Sequence, residues 1–149
     1  MGRYVNGSLF YGISFEEPDE EDGYHLPWMN KESDYDFEEW FIENHTNLKD
    51  PSEWEDRGKH EDEWDAYYQE RHRLLGTVPV EIGFCRFDEE YLGYIAVKGV
   101  NFSYDEGLTQ ILPEQLAVQP DWDRKIKDFC EKYGIPYMQP TWNLVLLYG

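Results

Sequence analysis

Four histidines, two cysteines and 32 acidic residues are the side chains of this 149-residue chain from which chemistry would have to be built. The nearest approach to a metal motif is His60-Glu61-Asp62-Glu63-Trp64. It opens like H-E-x-x-H, but Trp64 stands where the second histidine ligand belongs. Asp19-Glu20-Glu21-Asp22-Gly23 has the composition of a calcium loop. With Gly23 in the sixth place, however, Pro18 falls at the first, which such a loop cannot use. No specific metal site is expected.

Nucleophilic catalysis would draw on Cys85 or Cys130, with His25, His45, His60 or His72 as base. A reactive thiolate needs a positive, partly exposed setting. Both cysteines sit among apolar residues, and a chain of net charge -19 raises a thiol pKa rather than lowering it. Two cysteines do not make a disulfide framework either, so both are expected as buried reduced thiols. Paired carboxylates suit glycoside hydrolysis, yet among 32 acids some pair always lies close, so the pattern carries no information. The sequence contains no G-x-G-x-x-G, P-loop or G-x-S-x-G motif. A protein that binds rather than catalyses, with no cofactor, is the expectation.

Charge says what it would bind. There are 32 acids against 13 bases. Residues 1–76 hold 21 acids and 7 bases, and residues 77–149 hold 11 and 6. Such a field repels nucleic acid, whose binding needs Lys and Arg to replace counterions at phosphates, and it repels anionic membranes. It attracts basic proteins and speeds their association. Solubility alone is the competing explanation.

The acids concentrate between residues 16 and 65, which carry 20 acids and four bases. Asp50-Pro51-Ser52-Glu53 reads as a helix start, with Ser52 and Glu55 as a second register. The helix is expected to run to Leu75, with Gly58 as a point of bending and Gly76 as its stop. Over Glu53–Glu70 it would display eight acids in 18 residues. At a helical rise that is roughly one carboxylate per 3.4 Å, the spacing of phosphates along one DNA strand. Glu53, Trp54, Glu55, Asp56, Glu61, Asp62, Glu63 and Asp65 are therefore the candidate partner-binding residues. Against this, Glu53–Arg57 and Glu55–Lys59 are i,i+4 pairs that would neutralise part of the charge. Trp54 is either an exposed anchor or the first apolar turn of its helix.

The remaining elements follow from periodicity. Leu9, Tyr11, Ile13 and Phe15 alternate as a strand, and an acidic connector, Glu16 to Gly23, leads to the apolar anchor His25-Leu26-Pro27-Trp28. Ser33 with Asp36 resembles a cap for a helix carrying Phe37, Trp40 and Phe41 on one face and ending near His45–Asn47. Val78–Phe84 and Tyr91–Ser103 form a hairpin around Asp88-Glu89-Glu90, with Gly93 and Gly99 as bulge sites. Gly107–Gln119 is ambiguous and kept short by Pro113 and Pro120. Asp121 is read as the cap of an amphipathic helix with Trp122, Ile126, Phe129, Cys130 and Tyr133, ended by Gly134 and Pro136. Trp142–Tyr148 is apolar on both faces, which suggests a central strand. The fold class is thus α+β: an antiparallel or mixed sheet of about four strands with three helices, mainly on one face, in a single domain spanning 1–149. Met1 to Asn6 holds no apolar leader and no run reaches a membrane span, so a cytoplasmic protein is expected.

Asp128-Phe129-Cys130-Glu131-Lys132-Tyr133-Gly134-Ile135-Pro136 and Pro140-Thr141-Trp142-Asn143-Leu144 are similar to the endings of small acidic proteins of tailed bacteriophages. Tyr11-Gly12-Ile13-Ser14-Phe15-Glu16-Glu17 with Leu26-Pro27-Trp28 resembles their beginnings. The resemblance implies a phage setting and the host cytoplasm, where such proteins inhibit bacterial defences of the CRISPR or restriction type. It transfers no functional residue. The resulting expectation is an acidic inhibitor, a DNA mimic, of a basic nuclease or DNA-binding complex, with no direct nucleic-acid or membrane binding. Two alternatives stay open: an immunity protein neutralising a basic toxin, and a pocket protein for a small molecule. Oligomeric state is left open.

Overall fold

Alternating side chains give four strands, and their pairing gives one antiparallel sheet. The structure, a computed structural model, describes residues 5–16, 26–29, 36–87, 90–104 and 110–148. Its elements run β1 (Val5–Glu16), α1 (Phe37–His45), a 3-10 turn (Trp54–Lys59), α2 (Glu61–Gly76), β2 (Val80–Phe87), β3 (Glu90–Tyr104), a second 3-10 turn (Pro113–Leu116), α3 (Pro120–Tyr133) and β4 (Thr141–Tyr148). This is the α+β class. The acidic connector up to Gly23, the calcium-like stretch, His25, Ser33, Asp88-Glu89 and residues 107–109 lie outside the described residues.

The chain divides into two compact units. One takes the first 27 residues and 79–149, and the other is Trp28–Val78. The first holds the whole sheet and α3; the second holds α1 and α2.

In the sheet unit the strand order is β2-β3-β1-β4. β4 is therefore an edge strand, not the central one its double-sided apolar pattern suggested. The central places go to β1 and β3, the two longest strands at 12 and 15 residues. The register jumps from Phe10↔Asn101 to Gly12↔Ala96, so residues 97–100 of β3 bulge opposite Tyr11. Gly99 within that bulge adopts a φ of 77°, open to glycine at little cost. Gly12 has a different reason. A Cβ there would lie 2.0 Å from the Ile95 carbonyl oxygen and 2.7 Å from the Ala96 Cα, so the two backbones approach too closely for any side chain.

Both sheet faces carry buried apolar residues. Phe10, Ala96 and Val145 form a cluster on one face, with Tyr94 stacked on Phe10 at a centroid distance of 4.4 Å. Tyr11, Ile13, Ile95, Val97 and Val80 are also buried. Helix α3 reaches the sheet at Tyr11, where Trp122 packs 5.4 Å from its ring. Its buried stripe is Ile126, Phe129 and Cys130, at the expected spacing. Each such aliphatic or aromatic side chain removed from water contributes about 1.5–3 kcal/mol. The helix begins one residue before Asp121: Gln119 is the capping position, without a side-chain bond, and Pro120 supplies the preset φ of the first turn. Asp121 instead pairs with Lys125 at 2.9 Å. Gly134, at φ 68°, ends the helix in a Schellman arrangement, with Ile135 N donating to the Cys130 carbonyl at 2.8 Å.

Candidate functional site

The candidate residues all fall in the Trp28–Val78 unit, whose residues include 15 acids and six bases. Its core is aromatic. Trp28 is buried with Phe37 and Trp40 around it, at 4.9 and 5.2 Å between centroids. Asp36 caps α1 by accepting from the backbone N–H groups of Glu38 and Glu39. Thr46 closes the helix, its hydroxyl donating to the Ile42 carbonyl at 2.7 Å.

The expected single helix from residue 50 or 52 to 75 does not form. Trp54–Lys59 is a 3-10 turn held by Asp56 N to Glu53 O and His60 N to Arg57 O bonds, and α2 starts only at Glu61. Two local facts account for the break. Ser52, the expected cap, accepts the Trp64 indole N–H at 3.0 Å, so its oxygen serves a side chain of the next element. Gly58 sits within the turn and weakens helical continuation. At the far end Gly76 is the last helical residue and Thr77 the cap, with Thr77 Oγ1 donating to Leu74 O. A straight ladder of carboxylates over Glu53–Glu70 is therefore not what the chain displays.

It displays two adjoining acidic groups instead. Glu53 caps the 3-10 turn and Glu55 and Asp56 belong to it; Glu61, Asp62, Glu63 and Asp65 crowd the start of α2, where the positive helix end favours them. Asp56 is half-buried and the other six are exposed. Trp54 joins the groups, its ring standing edge-on to Trp64 at 5.5 Å and 88°. Trp64 is buried but Trp54 is 53% exposed, which answers the question the sequence left open. The Arg57 guanidinium lies 4.1 Å from the Trp54 ring centroid, a cation–π geometry.

The expected i,i+4 pairs with Arg57 and Lys59 are replaced. In a 3-10 turn residues three apart eclipse one another. Lys59 accordingly pairs with Asp56 at 2.8 Å, and Arg57 turns back to donate to the Trp54 carbonyl at 3.2 Å. His60 Nδ1 meets Glu63 at 3.0 Å. That leaves Glu53, Glu55, Glu61, Asp62 and Asp65 with no ion pair among the described residues.

Other charged residues of α1 and α2 pair within the unit. Arg71 on α2 reaches Glu38 and Glu39 on α1, at 3.1 and 3.5 Å. Burial works against the Arg71 charge, but Glu38, Tyr67 and Glu39 outweigh it and raise its pKa. Burial, then a hydrogen bond to Asp50, raises the pKa of Tyr67. Arg73 binds Glu70 at 2.8 Å and lowers that carboxyl's pKa. On α2 Trp64 and Tyr67 are buried, whereas Tyr68 faces outward.

Cys130 is buried in the sheet unit, where desolvation pushes its thiol up to about 11; His45, His60 and His72 belong to the other unit. Among the described residues no group of three or more His, Cys, Asp and Glu is placed to hold a metal ion, and no helix is long and apolar enough to cross a membrane. What sequence reasoning missed is the coupling of Ser52, Trp54 and Trp64; the tryptophan spacing of ten residues was its only trace. No protein-family model, curated protein or solved structure matches this chain.

Proposed function

We propose that this protein is a non-enzymatic acidic binder that occupies the cationic nucleic-acid-binding surface of a partner protein and thereby inhibits it. The observation that carries this reading is the pairing of opposites on one small surface. Five exposed carboxylates, Glu53, Glu55, Glu61, Asp62 and Asp65, have no ion pair among the described residues beside a half-exposed Trp54. Unneutralised acids speed the approach of a basic partner, and a partly exposed tryptophan supplies the desolvated anchor on which affinity depends. Solubility needs the carboxylates but gains nothing from the tryptophan. Imitation of duplex phosphate spacing is not required; complementary charge around an apolar pocket on the partner suffices. The resemblance to acidic phage proteins would make that partner a bacterial defence nuclease or DNA-binding complex, in host cytoplasm.

The test compares wild type with a variant carrying Glu53→Lys, Glu55→Lys, Asp62→Lys and Asp65→Lys, which takes the net charge from -19 to -11 at two units per reversal. Both are used as bait in nuclease-treated bacterial lysate over a salt series. The expected result is one basic protein held by wild type, released by salt, absent from the variant, and blocked in DNA binding or cleavage by the purified wild-type chain. Retention that survives all four reversals, or a captured protein whose activity is untouched, sinks the proposal.

A further inference from the structure

Resting on the acidic-binder reading above, we infer that the surface around Trp54 and Tyr68 reads arginine. Guanidinium groups of the basic partner stack there, and Arg57 is a resident guanidinium that one of them displaces. Two aromatic rings stay exposed on this surface, Trp54 at 53% and Tyr68 at 47%. Both stand against the buried Trp64, at 5.5 and 5.8 Å between centroids. On α2, Glu61 precedes Asp65 by four residues and Tyr68 follows Asp65 by three, so two carboxylates share the face of the exposed tyrosine. Neither Glu61 nor Asp65 has an ion pair among the described residues.

The adjoining 3-10 turn shows which cation the exposed indole accepts. Residues three apart eclipse in such a turn, so Arg57 falls over Trp54 and Lys59 over Asp56. The ammonium takes its carboxylate at 2.8 Å. The guanidinium lies 4.1 Å from the Trp54 ring centroid and donates to the Trp54 carbonyl at 3.2 Å. Arg57 makes no ion pair among the described residues, although Glu53, Glu55, Asp56 and Glu61 all lie within four positions of it. Among so many carboxylates, this guanidinium is held by an aromatic ring.

The chemistry of the two cations extends this preference to a partner. Guanidinium is planar and weakly hydrated, so it stacks on an aromatic face at little desolvation cost, whereas ammonium is compact and strongly hydrated. Arginine's fork also matches phosphate, so a cationic surface that grips nucleic acid offers the group these rings favour. A partner's arginine that lies on Trp54 or Tyr68 can turn its N–H groups toward Glu61 or Asp65, joining stacking and charge in one contact. Arg57, once displaced, has Glu53 and Glu61 four positions away on either side, neither with an ion pair among the described residues. Its presence therefore lowers affinity without closing the surface.

The test is fluorescence anisotropy of dye-labelled oligo-arginine and oligo-lysine peptides of equal length, titrated with the full chain at fixed salt. The wild type is expected to bind oligo-arginine at least about threefold tighter, the factor a surface cation–π contact carries. Arg57→Ala removes one positive charge, which strengthens both peptides alike, and uncovers the ring, which strengthens oligo-arginine alone. The arginine-to-lysine ratio should therefore rise about a further threefold. Trp54→Leu with Tyr68→Leu should abolish the preference while leaving the circular dichroism spectrum unchanged. Salt-dependent capture of a basic protein, lost on the four charge reversals, holds whichever cation the partner offers, so the two readings fail separately. Failure to bind either peptide, equal binding of both by wild type, a preference that survives the double leucine variant, or a ratio unmoved by Arg57→Ala overturns the inference.

Discussion

Tyr11 Oη donates a 2.6 Å hydrogen bond to Oδ1 of Asp123, joining the middle of β1 to the first turn of α3 across 112 residues of chain. Gln139 supports the same carboxylate at 3.1 Å. Trp122 and Trp142 flank the Tyr11 ring at 5.4 and 5.5 Å, and the Trp142 indole in turn donates to the Leu116 carbonyl. This cluster seats α3 on the sheet.

Tyr11→Phe is expected to cost about 1.5 kcal/mol, the usual worth of a hydrogen bond to a charged acceptor. Burial, then the bond to Asp123, pushes the Tyr11 pKa from 10.0 to about 12. A raised pKa means the folded state prefers the neutral phenol. Its contribution is therefore complete below pH 10 and is lost as the pH climbs through about 12. Urea unfolding of both proteins should show a gap that narrows over this window. A gap that does not change with pH would refute the assignment.

Gly12→Ala should destabilise by at least about 3 kcal/mol, because the new methyl meets the backbone of Ile95 and Ala96 rather than a movable side chain. Gly58 has nothing within 4 Å of an added Cβ. Gly58→Ala should therefore be neutral or stabilise by about 0.5 kcal/mol through reduced unfolded-state freedom. Equal effects of the two substitutions in denaturant melts would contradict the close strand approach.

Trp54→Ala is expected to weaken partner binding at least about 30-fold, or roughly 2 kcal/mol, while changing stability by less than about 1 kcal/mol. The reverse split, with stability lost and binding kept, would mean that Trp54 serves only to brace Trp64. Titration calorimetry beside thermal unfolding reads both quantities.

Cys130 should resist alkylation in the native protein at neutral pH, since its thiol is buried and its pKa is pushed to about 11 by desolvation. Peptide mapping after labelling is expected to find Cys130 modified only once the chain is denatured. Rapid native labelling at that position would show that α3 opens far more readily than its buried stripe implies.

Much of the fold was legible because its signals are local. Phe37, Trp40 and Phe41 share the face read for α1, although its cap is Asp36 rather than Ser33, Ile126, Phe129 and Cys130 repeat at the helical period, and Gly134 stops α3 by tolerating a left-handed turn. The order of strands and α-helices, strand-helix-helix-strand-strand-helix-strand, depends on nothing farther away than the next turn of chain. The acidic surface was legible for the same reason, since carboxylates rarely bury.

Tertiary structure decided what depends on partners distant in sequence. An apolar pattern on both faces of β4 is compatible with a centre or an edge; only the strand order, with β1 and β3 each paired on both sides, makes it an edge. The continuity of Glu53–Leu75 was broken by a hydroxyl at Ser52 that bonds an indole twelve residues on. In the folded unit Trp64 is buried and Trp54 exposed. Periodicity reports which side of an element is apolar; which neighbour covers that side, and which is left to solvent, is settled only by the competition among all elements for the same buried surface.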